Sequence, residues 1–137
     1  MSHRTTFQVG MALALLTAGA VCAQLAIAEP AAAVVAKYDK DNDKTLDWNE
    51  VQAAASAHFD ALNKDADGTL DRNEVKGVIS KTMFKAADND QDGTLSKAEY
   101  LDLVNKLFKQ ADTDNDGTLS AKELRSNTGR TLKRLID

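Results

Sequence analysis

Cysteine is almost absent from this chain of 137 residues, Cys22 being the only one. There is one proline and one tryptophan, and aromatic residues make up 5% of the whole. Each shortage excludes something. A lone thiol forms no intramolecular disulfide and no thiolate metal site. Scarce aromatics leave the core to Leu, Val, Ile, Ala and a few Phe. Basic charge is in deficit, with 17 Lys and Arg against 21 Asp and Glu and a net charge of −4, which argues against general nucleic-acid binding. The length suits one small domain or two very small ones.

Acid is missing altogether from the first 28 residues, MSHRTTFQVGMALALLTAGAVCAQLAIA, where Arg4 is the one arginine or lysine. An apolar run centred on 11–21 leads to Ala26-Ile27-Ala28, a small-x-small cleavage pattern. This is the layout of a secretory signal peptide. A membrane anchor is the competing reading, but the run is short and broken by Gly10, Thr17 and Gly19. The expectation is a signal peptide at 1–28, a single domain at 29–137, and an exported protein, periplasmic or extracellular, with no stable membrane insertion after processing. Cleavage after Ala23 is the alternative. Cys22 lacks the preceding leucine and small residue of a bacterial lipoprotein signal, and cleavage after Ala28 removes it.

What the remainder has in abundance is acid at fixed intervals. Four segments share one pattern: DKDNDKTLDWNE (39–50), NKDADGTLDRNE (63–74), DNDQDGTLSKAE (88–99) and DTDNDGTLSAKE (112–123). So many carboxylates in twelve residues repel one another unless a multiply charged cation sits among them. Asp, Asn and Gly favour turns. Turn preference alone does not explain a leucine at position eight and a glutamate at position twelve in all four copies.

These segments resemble the twelve-residue EF-hand calcium loop, and with their flanking helices the resemblance covers nearly all of 29–137. It implies an all-α fold of four tandem helix–loop–helix units with minimal β-pairing between loops, and up to four calcium ions. Calcium takes about six to eight oxygen ligands. The resemblance assigns them from positions one, three, five, seven, nine and twelve. In loop 1 these are Asp39, Asp41, Asp43, Thr45, Asp47 and Glu50; in loop 2, Asn63, Asp65, Asp67, Thr69, Asp71 and Glu74. In loop 3 they are Asp88, Asp90, Asp92, Thr94, Ser96 and Glu99; in loop 4, Asp112, Asp114, Asp116, Thr118, Ser120 and Glu123. Position seven offers its backbone carbonyl, position nine acts through water, and position twelve gives both carboxylate oxygens. Leu46, Leu70, Leu95 and Leu119 at position eight join a short strand to a partner loop.

Two loops depart from the pattern. Loop 1 has Lys44 where Gly68, Gly93 and Gly117 stand in the others, and loop 2 opens on the neutral Asn63. Loops 3 and 4 are expected to bind more tightly. The 12 or 13 residues between loops leave room for one helix each, in place of the exit helix, linker and new entering helix of calmodulin. In the third linker Tyr100, Leu103, Val104, Leu107, Phe108 and Ala111 share one helical face. The first aligns Val51, Ala54, Ala55, His58, Phe59 and Leu62. The second is less clean, with Gly77 a soft point. Continuous helices predict that loop 1 pairs with 3 and loop 2 with 4; broken linkers predict 1 with 2 and 3 with 4. A first helix is expected from 29–30, carrying Val34, Val35 and Tyr38. A last helix is expected near Ala121, faltering around 127–129, and the tail GRTLKRLID then either closes the core or docks elsewhere.

Nothing resembles a nucleophile with its base, and His58 lies on an apolar face, so no enzyme is expected. The layout resembles small bacterial secreted EF-hand proteins more than eukaryotic calmodulins. Calmodulin-like sensors open a methionine-rich groove, whereas processing leaves this chain only Met83. The implied role is a calcium buffer or sensor. The alternative is a calcium-dependent interaction module that grips a partner protein.

Overall fold

The computed structural model describes residues 30–137. The expected signal peptide, 1–28, lies outside the described residues. Helix α1, Pro30–Tyr38, buries Ala31, Val34 and Val35, and its proline sits in the first turn, where no backbone N–H is required. Loop 1 leads through strand β1, Thr45–Asp47, into α2, Trp48–Leu62. Loop 2 ends in β2, Thr69–Leu70, and α3 spans Lys81–Ala87. Loop 3 carries β3, Leu95–Ser96, into α4, Lys97–Ala111, and loop 4 carries β4, Thr118–Ser120. A 3-10 turn, Glu123–Arg125, and α5, Asn127–Lys133, follow. Among the described residues no helix is long and apolar enough to cross a membrane.

The first and third linkers are continuous helices, α2 and α4, as their spacing predicts. They lie antiparallel, because ring contacts tie opposite ends together. Trp48, at the start of α2, meets Phe108, near the end of α4, edge to face at 5.7 Å. Phe59 meets Tyr100 in the same way at 5.5 Å. Each such pair adds about 0.5–1.5 kcal/mol beyond its buried area. Lys97 also bridges to Asp60 at 2.8 Å.

The middle linker is not one helix. From Asp71 to Ser80 the chain runs through successive turns, with Gly77 at φ +89°. A residue with a Cβ resists that conformation. Helix α3 then starts afresh, its Met83 N–H bonded to the hydroxyl of Ser80 at 3.2 Å. Two continuous helices and one broken corner decide the pairing. β1 pairs antiparallel with β4, Leu46 opposite Leu119, and β2 pairs with β3, Leu70 opposite Leu95. Loop 1 therefore neighbours loop 4, and loop 2 neighbours loop 3. Both expected pairings are overturned, since each assumed linkers that were all whole or all broken.

The four position-eight leucines are fully buried and belong to one core with Phe59, Phe84, Tyr100 and Leu124. The last helix also differs from expectation. The chain falters at Ser126, and α5 begins at Asn127, with the Ser126 hydroxyl accepting from the Gly129 N–H at 2.9 Å. A Cβ on Gly129 would strike the backbone of Glu123 and Leu124, so only glycine lets α5 pack that closely on the turn before it. Leu132, Leu135 and Ile136 are buried, and the Tyr100 hydroxyl donates to the Leu135 carbonyl at 2.8 Å. The tail closes the core. Residues 31–136 thus supply one continuous core.

Candidate metal centre

Each loop is shaped by its own side chains accepting hydrogen bonds from its own backbone. The aspartate at position three accepts from the N–H at position five, as in Asp90 with Asp92 at 3.3 Å and Asp114 with Asp116 at 3.3 Å. The position-five aspartate accepts from both the N–H and the hydroxyl of the following threonine. Asp92 does so from Thr94 at 2.8 Å each, and Asp43, Asp67 and Asp116 do the same with Thr45, Thr69 and Thr118. The Thr94 hydroxyl, with its N–H, holds Asp92 below the usual carboxylate range.

The glutamate at position twelve reaches back across its loop. One oxygen accepts from the N–H at position two: Glu50 from Lys40 at 2.6 Å, Glu74 from Lys64 at 2.7 Å, Glu99 from Asn89 at 2.8 Å and Glu123 from Thr113 at 2.9 Å. The other accepts from the N–H at position nine, on Asp47, Asp71, Ser96 and Ser120, at 3.0–3.1 Å. Position nine accepts in return from the glutamate N–H, which makes a capping box at the start of α2 and of α4. The glutamate is thereby fixed twice, as a cap and as an inward-facing carboxylate. The Ser96 N–H lowers the pKa of Glu99. Burial opposes ionisation of Glu123, but the Ser120 and Thr113 N–H groups outweigh it and its pKa also falls. The capping pattern, Ser or Asp followed by Glu three residues on, stands in the sequence and marks the same glutamate as both cap and loop carboxylate.

Position one separates the loops. Asp88 and Asp112 each accept one bond, from Gly93 at 3.2 Å and Gly117 at 3.1 Å. Their other oxygen, Oδ1, is buried with no partner, as is Oδ1 of Asn63. An orphaned buried oxygen is costly unless something electropositive meets it. In loop 1 both oxygens of Asp39 are engaged, by the N–H groups of Asn42 at 2.6 Å and Lys44 at 2.9 Å. Burial raises the pKa of Asp39, yet these bonds prevail and lower it.

Oxygen atoms within 4.8 Å of one another form three groups among the described residues: Asp39 with Asp41 and Asp43, Asp88 with Asp90 and Glu99, and Asp112 with Asp114 and Glu123. Loops 3 and 4 bring the glutamate into the group, whereas in loop 1 the group consists of the first three aspartates. Loop 2 contributes an amide oxygen at position one. The donors are all oxygen, and the chain's remaining soft or nitrogen ligands lie elsewhere in the sequence. Such a set suits a hard divalent cation such as calcium. Each hydrogen-bonded carboxylate oxygen retains lone-pair capacity, so the loop bonds and a metal can be served together.

Lys44 adopts φ +71°, beside +87° to +88° for the glycines at position six of the other loops. Position four is left-handed too, in Asn42, Ala66, Gln91 and Asn115. The two asparagines are the sequence signal for this second positive φ, a signal that Ala66 and Gln91 lack. Residues 103–126 match the family model described as EF hand, and residues 79–107 match the EF-hand domain pair model. The matched residues cover loops 3 and 4, and loops 1 and 2 lie outside them. No curated protein matches the chain.

Proposed function

Since residues 79–126 match EF-hand family models, we propose that all four loops hold calcium and that the protein is an exported four-site calcium buffer or sensor, not an enzyme. One observation carries the reading. Buried, unpartnered oxygens stand at position one of loops 2, 3 and 4, and in loops 3 and 4 the aspartates that carry them belong to oxygen groups spaced for a cation. Asp88, Asp90, Asp92 and Glu99 would hold the ion of loop 3, and Asp112, Asp114, Asp116 and Glu123 that of loop 4. Loop 1 is supported by its aspartate trio and loop 2 by Asn63. The ions neutralise mutual repulsion within each loop and bind the folded chain preferentially.

Loops 3 and 4 are the tighter sites, since their carboxylate groups include the glutamate. Loop 2 lacks one formal charge. Loop 1 has Lys44 at its turn, and both oxygens of its first ligand already accept a hydrogen bond. Export rests on the leader sequence alone. Outside a cell, calcium is plentiful enough for weak sites to stay filled.

Calorimetric titration of residues 29–137 tests this. Four ions are expected, and Glu99→Gln or Glu123→Gln should each remove one, because an amide supplies a single neutral oxygen where two charged ones are needed. An unchanged count in either variant refutes the assignment for that loop.

A further inference from the structure

Calcium binding makes no use of the bases in the tail GRTLKRLID. Burial of Leu132, Leu135 and Ile136 fixes one side of this segment to the core. Arg130, Lys133 and Arg134, spaced three and four apart, share a different face and line a shallow surface with Pro30 and Val34 of α1. The acid on that surface, Asp137, is already held by Lys37 and by the Tyr38 hydroxyl. Among the described residues no ion pair engages the three bases. The result is a cationic patch on a chain whose acids outnumber its bases.

We propose that this patch docks on an anionic lipid surface and that calcium switches the docking on. The inference rests on the calcium reading. Lipid is favoured over an acidic protein because the surface is open rather than enclosed. The switch is electrostatic. Without Arg4, residues 29–137 carry 16 Lys and Arg against 21 Asp and Glu, a net charge of −5, and are repelled by an anionic surface; each calcium ion adds two charges, so three filled loops reverse the sign. Each base near such a surface then adds its own attraction within a Debye length.

The test is co-sedimentation of residues 29–137 with vesicles of phosphatidylcholine alone and of equal parts phosphatidylcholine and phosphatidylglycerol. It is run in calcium and in chelator, with Trp48 fluorescence reporting calcium binding in the same samples. Binding is expected only to the anionic vesicles and only in calcium. The triple variant Arg130→Gln, Lys133→Gln, Arg134→Gln should bind roughly a hundredfold more weakly. The variant Lys76→Gln, Lys85→Gln, Lys109→Gln loses the same overall charge but keeps the patch, so it should weaken binding much less than the first. Calcium binding without vesicle binding overturns the proposal and leaves the calcium reading intact. Equal weakening by both triple variants overturns the patch as the contact, and full binding by the first shows calcium bridging chain to lipid directly, which also overturns it. Capture of soluble polyglutamate with vesicles ignored reassigns the patch to acidic protein. No calcium uptake by calorimetry of the same protein refutes both readings.

Discussion

Lys44 holds a backbone conformation that suits glycine, at φ +71°, and it brings positive charge to a loop built for a cation. The left-handed region costs a residue with a Cβ about 1–2 kcal/mol. Part of that cost is offset by the bond from its N–H to Asp39 at 2.9 Å, which glycine would keep. Lys44→Gly should therefore tighten loop 1 by about tenfold. Trp48, at position ten of that loop, is the reporter, and its fluorescence should answer calcium at correspondingly lower concentration in the variant. An unchanged midpoint would mean that the turn is unstrained. At this scale much was legible. The turn at position six, the buried leucines and the strained lysine follow from spacing and residue type. What spacing could not reveal is that Asp39 already has both oxygens engaged, since that depends on where Asn42 and Lys44 direct their N–H groups.

Among the elements, the pairing of loops was the reading that sequence spacing did not settle. α2 and α4 were visible as unbroken amphipathic stretches free of Gly and Pro. Gly77 was visible as a weak point. The consequence was not, because one broken linker between two whole ones is a choice made by packing. α2 and α4 lie antiparallel through Trp48–Phe108 and Phe59–Tyr100, which brings the first loop beside the last. Strand pairing then couples loop 1 to loop 4 through Thr45–Ser120, Leu46–Leu119 and Asp47–Thr118. Disabling loop 4 with Glu123→Gln should lower the calcium affinity reported by Trp48 more than disabling loop 3 with Glu99→Gln or loop 2 with Glu74→Gln. All four loops share one core, so some coupling spreads everywhere, and the ranking is the test. A larger effect from Glu99→Gln would restore the pairing of loops 1 and 3.

In the whole molecule the two ends of the domain meet. Asp137 is held by Lys37 and by the Tyr38 hydroxyl at 3.1 Å, and the half-buried His58 of α2 lies in the field of both Asp137 and Lys37. Its Nε2 is buried without a partner. Burial lowers the pKa of His58, and Lys37 lowers it further against the opposing pull of Asp137. The folded chain thus keeps the imidazole neutral where the unfolded chain, with an ordinary value near 6.5, takes up a proton. Between the two values the unfolded state binds more protons, so stability falls as pH falls. The contribution is fully present above about pH 6.5, declines below it, and levels off once pH has passed the folded value. His58→Gln should remove this slope and leave that of the carboxylates. The measurement is the urea midpoint of calcium-stripped protein from about pH 7.5 to 5.5, since bound metal would add the protonation of its own ligands. Parent and variant should diverge as the solution is acidified, the variant losing less. Parallel curves would show that His58 titrates alike in both states and that the junction of α1, α2 and the tail is open to water.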